Sequence, residues 1–258
     1  MDPAAIAIVP YLNMRPYRHL PPPKGYQLVC LPPQPMMDAL HQGKLIAGAI
    51  PVGGLPQLPA GRFETLNYGI AARGPVHSVA VFSRIEFNDF SAHSTIRITT
   101  ESVSSVRLLY LLWDHRPNKT GIPTRANANT PPDGELLIGD AALKRRRQGD
   151  DRFVTDLAER WQDDTGHPFV FARWVVANND PHHRNTLIPW LAEVEAKRLE
   201  LLEKTATELH LGLSRSEIST YLSHITWSLG PEEEAGQQLF LHEWRQRGRT
   251  PVFQTSSP

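Results

Sequence analysis

The apolar run Ala4–Val9 is closed by Pro10 and followed by Pro10-Tyr11-Leu12-Asn13-Met14-Arg15-Pro16-Tyr17. Ile6, Ile8 and Val9 favour a short buried strand, and Pro16 lacks the N–H that a continuing strand needs. Asn13 and Arg15 therefore sit just past the carboxyl end of a first strand, where ligands bind in open α/β sheets. An asparagine amide both donates and accepts, and an arginine grips a carboxylate in a bidentate fork. The same position suits Asn13 as the cap of a following helix, and the local sequence leaves both readings open.

Short strands and helices alternate after this start. Tyr26–Leu31 reads as a strand, Gln34–Gln42 as a helix ending near Gly43, and Ile46–Val52 as a strand. Such an order implies parallel pairing through right-handed crossovers. Phe63–Ser83 is largely extended, and Thr95–Thr100 is a β-branched strand leading into a helix over Ser102–Asp114. Glu135–Ile138 is a strand from which Gly139-Asp140 opens a helix to Gln148, and Pro168–Val176 is strongly β-prone. From Leu187 the chain turns helical: Leu187–Leu209, a helix with the capping-box grammar Ser214-x-x-Glu217, and one beginning at Pro231 with Glu232–Glu234 in its first turn. Two α/β units joined by extended crossings, Gly69–Ser83 outward and Pro168–Val176 back, predict two lobes around a central cleft. We expect residues 1–86 with 176–258, including the C-terminal helices, to form the first lobe and 87–175 the second.

Composition narrows the partners. Lys plus Arg balance Asp plus Glu at 27 each, so the basic excess that marks non-specific nucleic-acid binding is missing. No run of about 18 apolar residues predicts a membrane span. The start lacks the basic flank and long apolar segment of a secretory signal, so a cytoplasmic location is expected. Cys30 is the single cysteine and reads as a small buried strand residue. No G-x-G-x-x-G, P-loop, H-E-x-x-H or C-x-x-C occurs, and neither cofactor nor metal is expected. Asp180, His182 and His183 read as a polar turn in preference to a metal site, and Arg145–Arg147 as the wet face of a helix.

Small hydroxyls and backbone amides at strand ends remain. Ser102, Ser104 and Ser105 open a helix whose N-terminal N–H groups suit a carboxylate, although a simple cap would explain Ser102 alone. Gly139-Asp140 repeats the geometry at the next strand-to-helix junction. Ser78, after Gly74-Pro75, adds a hydroxyl on the crossing segment.

P-Y-L-N-x-R-P at Pro10–Pro16, G-P-V-x-S-V at Gly74–Val79 and S-x-S-S-V at Ser102–Val106 occur in order. L-L-I-G-D-x-A-L at Leu136–Leu143, D-L-A-E-R-W at Asp156–Trp161, T-G-x-P-F-V-F-A-x-W at Thr165–Trp174 and Y-L-x-x-I-x-W-x-L-G-x-E-E at Tyr221–Glu233 follow. Together these motifs resemble the chorismate dehydratase family of the futalosine route to menaquinone. The resemblance implies a type II periplasmic-binding-protein-like fold and a dianionic substrate, chorismate, that loses water. It implies Asn13 as the catalytic residue, and Tyr11, Arg15, Ser78, Ser102, Ser104, Ser105, Gly139 and Asp140 as substrate-binding. The proton is expected to leave to the substrate's own enolpyruvyl carboxylate, with Asp140 or His77 as the alternative base. The chain departs from the pattern at Met14, Val103 and Arg173. Arg173 either faces the ligand or, the favoured reading, lies on the outer face of its strand. A monomer or homodimer is expected. A non-catalytic solute-binding or sensing protein, or a paralogue acting on a related cyclic acid, are the competing readings.

Overall fold

The structure, a computed structural model, describes residues 3–99, 101–116, 121–127, 130–208 and 211–248. In chain order the elements are β1 (Ala4–Ile8), a 3-10 helix (Leu12–His19), β2 (Tyr26–Cys30), α1 (Pro33–His41), β3 (Ala47–Pro51), β4 (Phe63–Ala72), β5 (Val79–Ser83), β6 (Thr95–Ile98) and α2 (Val103–Asp114). There follow β7 (Thr124–Arg125), β8 (Gly134–Ile138), α3 (Gly139–Gln148), β9 (Phe153–Asp156), α4 (Leu157–Thr165) and β10 (Phe169–Ala177). The last are α5 (Pro181–Ala196), α6 (Arg198–Thr207), α7 (Arg215–Ser223), β11 (Thr226–Ser228) and α8 (Pro231–Arg247). Two further short 3-10 segments cover Val52–Gln57 and Phe87–Asp89. Thr100 and Leu209, the expected ends of a strand and a helix, lie outside the described residues.

The chain divides into two compact units, one of Met1–Ala71 with Val170–Pro231 and one of Ala72–Phe169 with Glu232–Pro258. In the first, six strands order as β11-β4-β10-β3-β1-β2. β1 pairs in parallel with β2 and β3, as the strand–helix–strand order predicts, whereas β10 meets β3 antiparallel. In the second unit five strands order as β7-β6-β8-β5-β9, with β6 parallel to β8 and β5 antiparallel to both β8 and β9.

This division falls elsewhere than at residues 86 and 176. β5 belongs to the second sheet, which brings the segment from Ala72 onward with it. The last helix also belongs to the second unit. Phe240 of α8 meets Trp161 and Phe169 at ring separations of 6.3 and 5.0 Å, and Glu243 Oε2 lies 2.9 Å from His115 Nε2. Close approach requires a glycine there: a Cβ on Gly236 would lie 2.2 Å from the Pro168 carbonyl oxygen.

Local sequence explains the helix ends. Pro33 begins α1, where its missing N–H has no intrahelical partner to lose. Ser214 and Glu217 form the expected reciprocal capping box of α7. The helix expected from Leu187 starts earlier, because Asp180 caps α5 by accepting from His182 N, and it breaks at Lys197. His183 Nδ1 lies 2.9 Å from Tyr26 Oη, so the Asp180–His183 turn is a helix start tied to β2. Among the described residues no group of three or more His, Cys, Asp or Glu is placed to hold a metal ion, and no helix is long and apolar enough to cross a membrane. Cys30 is exposed, contrary to the buried reading, because β2 is an edge strand and Cys30 is its last residue.

The first unit is built around aromatic side chains. Tyr17 is 1% exposed and packs on Trp174, Trp190 and Trp227 at centroid distances of 5.8, 5.9 and 5.4 Å. Such contacts contribute about 0.5–1.5 kcal/mol per pair beyond area burial. Burial pushes the ionisation of the Tyr17 phenol well above its ordinary value of 10.0. The folded value exceeds the unfolded one, so the stability Tyr17 contributes is complete below the ordinary value and is lost as pH rises towards the folded one. Between about pH 10 and about pH 12 the urea midpoint of the wild type should fall more steeply than that of Tyr17→Phe, and parallel declines would refute the assignment.

Candidate functional site

Asn13 enters on the 3-10 helix that follows β1. Leu12, Met14, Pro16 and Tyr17 are buried, which leaves Tyr11, Asn13 and Arg15 partly exposed on the other side of the turn. The N-cap of this helix is Tyr11 and makes no side-chain cap bond, so Asn13 does not cap it. Its amide oxygen is buried and has no hydrogen-bond partner among the described residues. Leaving such an acceptor unpaired costs about 1–3 kcal/mol. Met14, one of the departures from the family pattern, is fully buried and belongs to the core.

Arg15 already holds a carboxylate. Its Nη1 donates to Glu208 Oε2 at 2.8 Å, and His19 Nε2 lies 3.5 Å from the other oxygen of Glu208. The end of α6 thereby braces the 3-10 helix. Arg173 is only 5% exposed, and its Nε donates to Leu66 O at 3.0 Å while Nη2 donates to Asn67 Oδ1 at 3.2 Å. Its guanidinium thus ties β10 to β4.

In the second unit, strand register gathers the remaining candidates at one sheet edge. β6 and β8 are parallel neighbours, so Ser102 after β6 and Gly139 after β8 follow adjacent carboxyl ends. β5 runs the other way with Val79 opposite Ile138, which sets Ser78 beside Gly139. The Gly139 N–H donates to the Ser78 carbonyl at 2.6 Å, so this amide, expected to assist with a carboxylate, is engaged within the protein. Gly139 has φ +53°, a left-handed conformation that glycine adopts without strain.

Ser102 caps α2. Its Oγ accepts from Ser105 N at 3.1 Å and donates to Ser105 Oγ at 2.9 Å. Ser104 and Ser105 are 0% and 2% exposed, and Ser78 is 2% exposed. Asp140 lies in the first turn of α3 and is half-buried.

Sequence reasoning passed over the groups that hold this edge together. Asp156, 4% exposed, caps α4 and also accepts from Val76 N at 3.1 Å and His77 N at 2.7 Å. Arg146 is no purely wet residue: its Nη2 donates to Asp156 Oδ2 at 3.3 Å and its Nε to His77 O at 3.2 Å. Arg145 likewise forks onto Asp151 at 2.7 and 2.8 Å. Asp156 was visible as an N-cap type before a helical stretch; its reach back to Val76 and His77 was not.

Each unit thus sets polar groups of the kinds that bind small molecules beyond the carboxyl ends of parallel strands, and the fold is that of the periplasmic binding proteins. The periplasmic aliphatic sulphonate binding protein SsuA from Escherichia coli matches with a TM-score of 0.65 at 16% identity, over 97% of this chain and 94% of that one. Protein AF1704 from Archaeoglobus fulgidus matches with a TM-score of 0.70 at 12% identity, over 96% of this chain and 98% of that one. The sequence goes further. Residues 4–246 match the family described as Menaquinone biosynthesis, and the chain belongs to it. A chorismate dehydratase from Thermus thermophilus is 25% identical over 268 residues, which is 93% of this chain and 94% of that protein.

The cap geometry carries a consequence for stability. Ser102→Ala should lower the unfolding free energy by about 1 kcal/mol, read as a shift of the urea midpoint at constant slope. A midpoint equal to that of the wild type would mean that the Ser102 cap does not stabilise α2.

Proposed function

We propose that this protein is a chorismate dehydratase, acting in the cytoplasm as a monomer or homodimer without cofactor, metal or nucleic acid. It eliminates water from chorismate to give 3-[(1-carboxyvinyl)oxy]benzoate. The observation that carries this reading is the Asn13 amide. It follows the first parallel strand of a Menaquinone biosynthesis family member, with a buried acceptor that has no partner among the described residues. The chorismate dehydratase name of the Thermus relative supports the same choice.

The chemistry suits neutral groups. Chorismate carries a ring carboxylate and an enolpyruvyl carboxylate. The proton on the ether-bearing ring carbon leaves, its bonding pair enters the ring, and the neighbouring C–O bond breaks to release the hydroxyl, which departs as water. Aromatisation drives the step, so the protein's task is to hold the dianion and align the elimination. In this reading Asn13 orients the leaving hydroxyl: its amide oxygen accepts from the O–H, and its NH2 offers a donor to developing charge. The substrate's own enolpyruvyl carboxylate takes the proton and hands it to the departing hydroxyl, which completes the water. Ser104, Ser105 and Ser78, with Tyr11, Asp140 and the Ser102 and Gly139 turns, form the substrate-binding set. Arg15 joins that set if substrate replaces Glu208 as its carboxylate partner.

Incubation with chorismate, followed by absorbance and mass, should yield the aromatic enol ether. Chorismate bound but recovered unchanged would instead identify a solute-binding or sensing protein of this fold. Asn13→Ala should lower kcat by about 100-fold while the ligand still binds; unchanged turnover removes Asn13 from the mechanism. At saturating chorismate, Asp140→Asn should keep a flat kcat from pH 5 to 8, whereas loss of kcat with KM unchanged would make Asp140 the base.

A further inference from the structure

The segment between β4 and β5 is held in an unusual way. Pro75 has no N–H, and the other backbone donors of Gly74–His77 all go to side chains of the Asp156–Thr165 region. Gly74 N donates to Gln162 Oε1 at 2.5 Å, and Val76 N and His77 N donate to the two oxygens of Asp156. His77 O receives the Arg146 Nε. His77 itself has φ +63°, one of two described non-glycine residues with positive φ, the other being Leu211. A residue with a Cβ adopts that conformation at a cost, and it persists where its surroundings over-determine it. Here both the N–H and the C=O of His77 are pinned. The next residue is Ser78, whose carbonyl receives the Gly139 N–H.

We infer that Asp156, with Arg146, is the positioning residue that holds the 74–78 turn in its left-handed form, so that Ser78 and the Gly139–Asp140 turn are presented in one arrangement. This inference rests on the dehydratase reading for what Ser78 and Asp140 contact. Only a carboxylate fits the place. Among the described residues, the groups that hydrogen-bond the Asp156 carboxylate are donors: Val76 N, His77 N, Ala158 N and Glu159 N from the backbone, and the Arg146 guanidinium. An ionised Asp is acceptor-only at both oxygens, whereas an Asn would turn an NH2 towards an N–H or towards the guanidinium.

Asp156→Asn in the full chain is the test, read in two ways. Amide hydrogen exchange, measured without substrate, should quicken by about tenfold at residues 76–78 while the second half of α4 keeps its protection. The KM for chorismate should rise by about tenfold, the effect of roughly one well-placed hydrogen bond. A merely structural role would reduce the active fraction, lowering kcat with KM unchanged, and that result overturns the inference. So does unchanged exchange at residues 76–78. Should Asp156→Asn fail to fold, Arg146→Gln, which removes both the Asp156 and the His77 contacts from a partly exposed position, is read by the same two criteria. Wild-type protein that leaves chorismate unchanged and unbound would refute the dehydratase reading alone, because the exchange measurement still decides whether Asp156 holds the turn.

Discussion

The register of β5 against β8 is the constraint on which the second unit's polar edge depends. Val79 opposite Ile138 sets Ser78 and Gly139 just beyond the ladder, and one hydrogen bond from Gly139 N to Ser78 O closes it. Because β6 runs parallel to β8, the helix start at Ser102 comes to the same edge. A slip of one residue would turn Ser78 to the opposite face of the sheet and uncouple it from α3.

The two units solve the same problem with different materials. In the first, buried Leu12, Met14 and Tyr17 anchor a 3-10 helix into an aromatic core, and the Arg15–Glu208 pair braces it from α6. Apolar burial is non-directional, so it fixes where that helix sits, while the ion pair fixes its outer side. In the second, the 74–77 turn is held by directional bonds from Asp156, Gln162 and Arg146. Directional bonds suit a backbone held at positive φ, since apolar packing alone cannot specify a dihedral angle.

Much of this was legible in the chain. The apolar runs became strands close to their expected limits, and the capping box at Ser214 and the proline start at Pro231 formed as local rules require. Asn13 was singled out because Pro10 and Pro16 frame it after a strand. What escaped was non-local. Asp156 lies 80 residues from Val76 along the chain, and Glu208 lies 193 from Arg15. Nothing in local composition announces such partners. Arg146 gave no local sign of its partners for the same reason: an arginine's surroundings are set by what packs on it, not by its neighbours in sequence.

The sequence by itself determined the α/β class, most of the longer strands and helices in their order, and the motif set that ties the chain to its family, because hydrophobic period, proline placement and capping chemistry act within a few residues. Tertiary structure alone decided where the chain passes from one unit to the other, which unit receives α8, and which carboxylates meet Arg15, Val76 and His77. Those outcomes depend on strand register and helix packing, which bring together groups whose separation along the chain conceals their proximity in space.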